Sequence, residues 1–412
     1  MGDIVLVLDG FGIGAMPDAG ELRKSDVEAH TLKSLTEWSR AHRSRDLDIG
    51  YLTALGLNKL CPGIKLSEAS EINDFSAGLH SRVHRLSLGY PGADTFAGHQ
   101  TLMGADMSKV VVCPLIERVD EVQELLESQG YSVRWLAKDK ANLVVDDHIL
   151  IHDNLEADPG LNWNVSARLS DVTWDKLMDV SKLVRQVAPV ARVICVGGYS
   201  EKTLDNYTHP GSHGTYGLDT PMTGFYVNGG LQVVHLGLDI DHRRQLPELV
   251  AKGGNNVALV GKAADILETD SEVDRRPGVD TKENMATTIK LAGHKKLTVT
   301  NIQETDLAGH QQDPGMYCET LELVNKMLPE LLSKLDGDDY LVITADHGND
   351  PTIEHSFHTR EYVPALWVSR NNQSEGLSVT LGSPWDSLAN IGATLANHLG
   401  CNPVGHGEVL KP

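Results

Sequence analysis

The chain has 412 residues, of which 41% are hydrophobic and 23% charged, and its formal net charge is −21. That length and apolar content suffice for two domains with a large core. The excess of acid argues against nucleic acid or an anionic membrane surface as a partner. A phosphorylated small molecule stays open, because metals and local cations set the field inside a site.

The five cysteines (Cys61, Cys113, Cys195, Cys318, Cys401) are odd in number and form no C-x-x-C. Neither a disulfide framework nor a thiolate zinc site is expected, and a reducing, cytoplasmic setting fits. The apolar run Ile4–Leu8 is too short for a signal peptide or a membrane span. It reads as a central parallel strand ending at Asp9-Gly10-Phe11-Gly12-Ile13-Gly14-Ala15. Gly10-x-Gly12-x-x-Ala15 loosely matches a dinucleotide fingerprint, but no second strand ending in an acid follows at the required distance. Asp9 at a strand's carboxyl end reads better as a metal ligand, since sites in open α/β sheets gather at that edge.

Residues 31–42 read as a helix with Leu32, Leu35 and Trp38 on one face, and Leu52–Leu60 as a short helix or irregular segment. In Gly89–Gly104, turn residues give way to a helix near Thr95. Asp94 or Thr95 could simply cap that helix. Alternatively the Thr95 hydroxyl sits where a phosphoryl oxyanion is favoured, and a metal would make it a nucleophile. Between 106 and 232 the pattern changes. Helices are expected at Val119–Gln129 and Thr173–Ala188, and strands at Tyr131–Leu136, Ala141–Val145, His148–Ile151 and Ala191–Val196. These make a compact α+β insertion.

From Leu231–Val234 the chain is expected to return to the core. A helix at Leu246–Lys252 and a strand at Asn256–Val260, with Gly261-Lys262 at its tip, lead to the strand Leu297–Thr300. Met316–Leu335 reads as an amphipathic helix, Ala365–Val368 as a strand and Ser387–Leu399 as a closing helix. Asp306 and His310 follow one strand, and Leu341–Thr344 runs into Asp346-His347, with His358 eleven residues on. Oxygen and nitrogen donors without thiolate suit Mn²⁺, Zn²⁺ or Mg²⁺. Five such groups exceed what one tetrahedral ion takes, so two ions are expected, a pair able to clamp a phosphoryl group in transfer.

The runs Asp9–Asp18, Gly92–Gly104, Gly261-Lys262-x-x-Asp265, Asp346-His347-Gly348-x-Asp350 and His358-Thr359-Arg360-Glu361 resemble phosphopentomutases of the alkaline phosphatase superfamily. The resemblance implies an α/β core with a central, mostly parallel sheet flanked by helices over 1–105 and 233–412. It also implies an inserted α+β cap over 106–232. It assigns one metal to Asp306, His310 and His358, and the other to Asp9, Asp346 and His347. Thr95 would bridge the two and carry the phosphoryl group. Mn²⁺ is the implied metal. Asp153, Asn154 and Glu156 fall in a segment similar to the family's sugar-binding stretch, and Lys262 and His99 in its core motifs, so all five are candidates to bind substrate. His355 would be a supporting residue.

The chain also departs from the pattern. Asp306 and His310 are one residue closer than the family's acid and Gly-His, a spacing similar to that of cofactor-independent phosphoglycerate mutases. Thr101 stands where an acid is expected. Val196-Gly197-Gly198 replaces one phosphate-binding arginine and the surroundings of Ser212-His213 another. Arginine is the usual bidentate clamp for a non-transferring phosphate. The expectation is a phosphomutase-like enzyme whose small phosphorylated substrate is not the usual pentose phosphate. The alternatives are a phospho- or sulfo-ester hydrolase on the same site, or a metal-dependent binding protein without turnover.

Overall fold

The computed structural model describes residues 2–69, 78–137, 140–156, 159–211, 214–225, 227–238, 240–370 and 376–412. Positions 212 and 213, expected to stand in place of a second arginine, lie outside the described residues. The chain divides into two compact units, Met1–Ser108 with Asp241–Pro412, and Lys109–Ile240.

The first unit is built on a sheet whose eight described strands run, edge to edge, Asp274–Arg276, Val257–Val260, Leu297–Ile302, Asp3–Leu8, Tyr340–Thr344, Val363–Arg370, Leu79–Leu86 and Ser378–Leu381. The first five are mutually parallel, and only Val363–Arg370 opposes its neighbours. Asp3–Leu8 and Leu297–Ile302 are buried along their whole length, as apolar runs in a parallel sheet should be. One helix group joins Thr31–Arg43, Thr281–Leu291 and Pro314–Leu332, and another joins Thr95–Leu102, Leu246–Lys252 and Ala389–His398. Thr31–Arg43 buries a stripe that includes Leu32 and Leu35, whereas Thr95–Leu102 and Ala389–His398 are buried on nearly every side.

One strand of this unit was not expected from the sequence. Leu79–Leu86 had no strand signal, because His80, Arg82 and Arg85 alternate with the buried Ser81 and Val83. The segment Leu52–Leu60, expected as a short helix or irregular, is helical, and its Thr53–Leu57 widens into π-helix around Gly56, whose φ of +108° no residue with a side chain adopts readily.

The second unit holds a sheet in the order Gln232–Gly237, Arg192–Gly198, Asn162–Arg168, Ile149–Asn154, Lys140–Val145 and Val133–Ala137. The helices Val119–Ser128 and Trp174–Val187 bury a core with Leu143, Ile151, Trp163 and Cys195. Leu231–Val234, expected to open the core, instead belongs here: Gln232–Gly237 pairs antiparallel with Arg192–Gly198 over six residues. A short run such as Leu231–Val234 carries no mark of which of two sheets it will join. Among the described residues no helix is long and apolar enough to cross a membrane.

Candidate metal centre

Three central strands of the first unit end at one edge of its sheet, and each delivers acids there. Asp9 follows Asp3–Leu8, Asp346 and His347 follow Tyr340–Thr344, and Asp306 lies on the helix Glu304–His310 just beyond Leu297–Ile302. The four-residue spacing puts Asp306 and His310 on one face of that helix. His358 enters from the loop ahead of Val363–Arg370. Two groups result, Asp306 with His310 and His358, and Asp9 with Asp346 and His347, each with its ligand atoms within 4.8 Å of one another.

The three histidines are oriented as metal ligands would need to be. His310 Nδ1 donates to Ser356 O (2.6 Å), His358 Nδ1 to Ala93 O (3.1 Å) and His347 Nδ1 to Gly348 O (3.0 Å). A carbonyl only accepts, so each Nδ1 carries the proton and each Nε2 turns a lone pair inward. His310 and His358 bring Nε2 to 3.5 and 3.3 Å from Asp306 Oδ1, and His347 Nε2 lies 3.5 Å from Asp9 Oδ1 and 3.4 Å from Asp346 Oδ2. Asp9 Oδ1 is buried without a hydrogen-bond partner, and Asp346 Oδ2 has the His99 ring beside it at 3.1 Å. Buried carboxylate oxygens facing imidazole lone pairs fit a divalent cation, whose charge would offset the cost of burying them.

The electrostatics point the same way. Burial first, then the neighbouring Asp346, pushes the Asp9 carboxyl up from its ordinary range, with Asp306 adding to the rise and Lys262 opposing it. Burial also acts to raise Asp306, but Lys262, His358 and His310 together hold it well below. Lys262 Nζ stands between the groups, 2.6 Å from Asp9 Oδ2 and 3.3 Å from Asp306 Oδ2. It lies among the ligands' carboxylates, a place the sequence expectation of a substrate contact did not specify.

Thr95 is the first residue of the helix Thr95–Leu102, and Asp94 is its cap, accepting from Ala97 N at 2.9 Å. The capping role considered for either residue therefore falls to Asp94. The Thr95 hydroxyl lies 2.9 Å from His347 Nε2, inside the second ligand group. The helix comes this close because residue 98 is glycine: a Cβ there would sit 2.7 Å from Asp346 Cβ. Arg360 fastens the preceding loop, donating to Tyr90 O (2.7 Å) and Gly92 O (2.6 Å) while pairing with Asp18 (2.7 Å).

The substrate-binding expectations need correction. His99 has no exposed surface: its Nδ1 lies 2.9 Å from Thr95 O and 3.1 Å from Asp346 Oδ2, and its Nε2 lies 2.9 Å from Asn301 Nδ2. It braces the centre from behind. Asp153 is in the second unit, also without exposed surface, and both its oxygens accept backbone N–H groups, Leu115 at 2.7 Å and Tyr216 at 2.9 Å. It holds loops together instead of facing a ligand, and burial lifts its pKa to about 6 against those two bonds. Asn154 is spent on Glu156 N (2.8 Å), which leaves Glu156 as the exposed side chain of the three. His355 pairs with the buried Asp26 at 2.9 Å and belongs to neither ligand group.

The sequence reading missed Asn301 and Asn349. Asn301 Nδ2 donates to Asp9 Oδ2 (2.9 Å), and Asn349 Nδ2 to Asp306 Oδ1 (2.9 Å). Both fix carboxylates of the two candidate ligand groups. The available signal was a buried amide closing an apolar strand, and one three residues past Asp346.

The Metalloenzyme superfamily family model matches residues 2–403. A phosphopentomutase of Alkaliphilus metalliredigens is 24% identical over 99% of this chain and 97% of its own length, and one of Chromohalobacter salexigens is 28% identical over 98% and 94%. Among solved structures, the cofactor-independent phosphoglycerate mutase of Thermoplasma acidophilum is 12% identical with a TM-score of 0.35, covering 95% of this chain and 98% of that one. With a family match across nearly its full length and two sets of buried oxygen and nitrogen donors at one sheet edge, the chain belongs to the metalloenzyme superfamily.

Proposed function

We propose that the protein is a phosphomutase-like phosphoryl-transfer enzyme that works through Thr95 on a small phosphorylated metabolite. The observation that carries this reading is the Thr95 hydroxyl, 2.9 Å from His347 Nε2 and released from capping by Asp94. Two divalent ions, for which we favour Mn²⁺ on the resemblance to phosphopentomutases, would be held by Asp306, His310 and His358 and by Asp9, Asp346 and His347. Bound there, they would neutralise charge on the transferring phosphoryl group and lower the hydroxyl's pKa. Thr95 supplies the oxygen nucleophile. Its branched Cβ restricts χ1 and so holds that oxygen in place, and the N-terminus of its helix favours the phosphoryl oxyanion. Lys262 offers a cation between the two groups. The phosphoryl group then returns from Thr95 to a second oxygen of the substrate, which makes the reaction an isomerisation.

The usual pentose phosphate is a poor candidate. Where the family has an arginine, Gly197 and Gly198 are buried, and a Cβ on them would lie 2.7 Å from Leu169 Cδ2 and 2.6 Å from Phe225 Cγ. That space is already filled by apolar side chains. A cytoplasmic setting fits the five cysteines, all free thiols.

The test is incubation of Mn²⁺-loaded protein with a panel of phosphorylated metabolites, followed by acid quench and peptide mapping. Isomerisation with phosphate recovered on Thr95 is expected. Release of inorganic phosphate as the main product would instead make it a hydrolase, and no phosphate on Thr95 with any active substrate would reject the nucleophile.

A further inference from the structure

The first unit contains a cleft of about 480 Å³ that none of the metal-ligating residues, nor Thr95, lines. Its wall combines one face of the helix Thr31–Arg43 (Lys33, Glu37, Arg40), the 60–65 loop with Lys65, and Arg85 from the strand Leu79–Leu86. Four cations meet a single acid there, in a chain whose net charge is −21.

Pairing does not use these cations up. Arg40 bonds to Asp46 at 2.6 Å, and Lys33 reaches Glu37 only at 4.0 Å with both side chains more than half exposed. Arg85 has neither a carboxylate nor a hydrogen-bond acceptor among the described residues. Its Nε is buried and unbonded, and its guanidinium lies 4.2 Å from the centroid of the Tyr362 ring. A buried donor left unsatisfied is costly, and an arginine stacked on an aromatic ring has its fork pre-set for a planar or tetrahedral anion. His30 adds a neutral donor: its Nδ1 accepts from Lys33 N at 3.3 Å, so the ring proton is on Nε2. Ile13, Leu60 and Ile64 supply an apolar wall beside the charges. The cleft is of the size that holds a small organic ligand.

We propose that this cleft is a second anion site, which binds the phosphate of a small phosphorylated metabolite between Arg85, Lys33 and Lys65, with its organic part against the 60–65 loop. The site is joined to the metal centre by short links. Tyr362, under Arg85, donates its N–H to Gly14 O and accepts from Ile13 N, both at 2.8 Å. Asp9 precedes Gly14, and His358 precedes Tyr362, on these same two segments.

Phosphate binding can be counted by equilibrium dialysis with inorganic phosphate on the Mn²⁺-loaded full chain. Two phosphates per chain are expected for the wild type, one at the metal centre and one in the cleft. Arg85→Gln should weaken one of them at least tenfold and leave the other. The double variant Lys33→Gln/Lys65→Gln, whose side chains are exposed, should do the same without threatening the fold. Tungstate soaked into phosphate-free crystals should give an anomalous peak beside Arg85. Wild-type phosphate binding, whether one or two per chain, that both variants leave undiminished, or tungstate at the metal centre alone, would overturn the proposal; a single phosphate lost in Arg85→Gln would leave the cleft standing and count against the metal centre.

Discussion

His310 and His358 face each other through their Nε2 atoms at 3.0 Å, and Asp306 Oδ1 lies within 3.5 Å of both. With each Nδ1 committed to a carbonyl, two lone pairs converge there and need a proton or a metal between them. Burial works against charging His310, but Asp306 prevails and lifts its pKa to about 9. Near neutral pH the metal-free protein therefore carries a proton that a metal must displace. Binding at this group should release about one proton, and the apparent affinity for Mn²⁺ should rise with pH and level off near 9. Calorimetry in buffers of different ionisation enthalpy measures this. The sign for stability follows. The folded pKa lies above the ordinary 6.5, so the charged ring stabilises the metal-free fold below 6.5, and that contribution fades as pH rises through about 9. The melting temperature of the metal-free protein should decline over that window, and saturating Mn²⁺ should remove the decline.

Asp94 and Thr95 are adjacent but should fail differently. Asp94→Ala removes the bond to Ala97 N, which costs about 1 kcal/mol at a helix cap. Thr95→Ala removes no cap, so it should melt nearer to the wild type, bind metal and lose turnover. Thr95→Ser keeps the oxygen but loosens χ1, and should retain part of the activity. Full activity in Thr95→Ala would leave the nucleophile unassigned.

Lys262 is the only lysine or arginine paired with Asp9 and Asp306 among the described residues. Lys262→Met leaves those buried carboxylates facing each other, and breaking a buried pair costs about 3–5 kcal/mol. A divalent ion held by the two groups would supply the missing positive charge. The loss in melting temperature should therefore be large without metal and much smaller in saturating Mn²⁺. An equal loss in both states would mean that Lys262 does not share the ions' electrostatic role.

The centre was legible because its chemistry is local. Asp9 and Asp346 each follow a continuous apolar run, and such a run in an α/β chain ends at the sheet edge where sites form. The second unit was less legible. Asp153 was expected to bind substrate because its segment is similar to the family's sugar-binding stretch, and the same letters stand there whether the acid faces a ligand or two backbone N–H groups. The strand Gln232–Gly237 was placed in the core because its partner, Arg192–Gly198, is fixed by register and not by composition. Asn301 and Asn349 were passed over since an amide that orients a carboxylate has no spacing rule of its own.

Substrate choice gives the last prediction. With ribose 5-phosphate and Mn²⁺ the protein should fall well short of about 10⁴ M⁻¹s⁻¹ in kcat/KM, the lower end for efficient enzymes. The reason is the rebuilt stretch at 196–198. Val196 is buried, and the glycines after it are closed off by Leu169 and Phe225. Restoring an arginine is correspondingly difficult. Gly198→Arg alone must displace the Phe225 ring from 2.6 Å, and overpacking of this kind costs about 1–3 kcal/mol. Combining it with Phe225→Ala makes room for the long side chain, at the cost of contacts with Val196 and Leu218 in the same apolar cluster. The single variant should lower the melting temperature without gaining activity on ribose 5-phosphate, and the double variant should gain some of that activity. Efficient turnover of ribose 5-phosphate by the wild type would show that other groups clamp the phosphate and that the lost arginine is not what sets specificity.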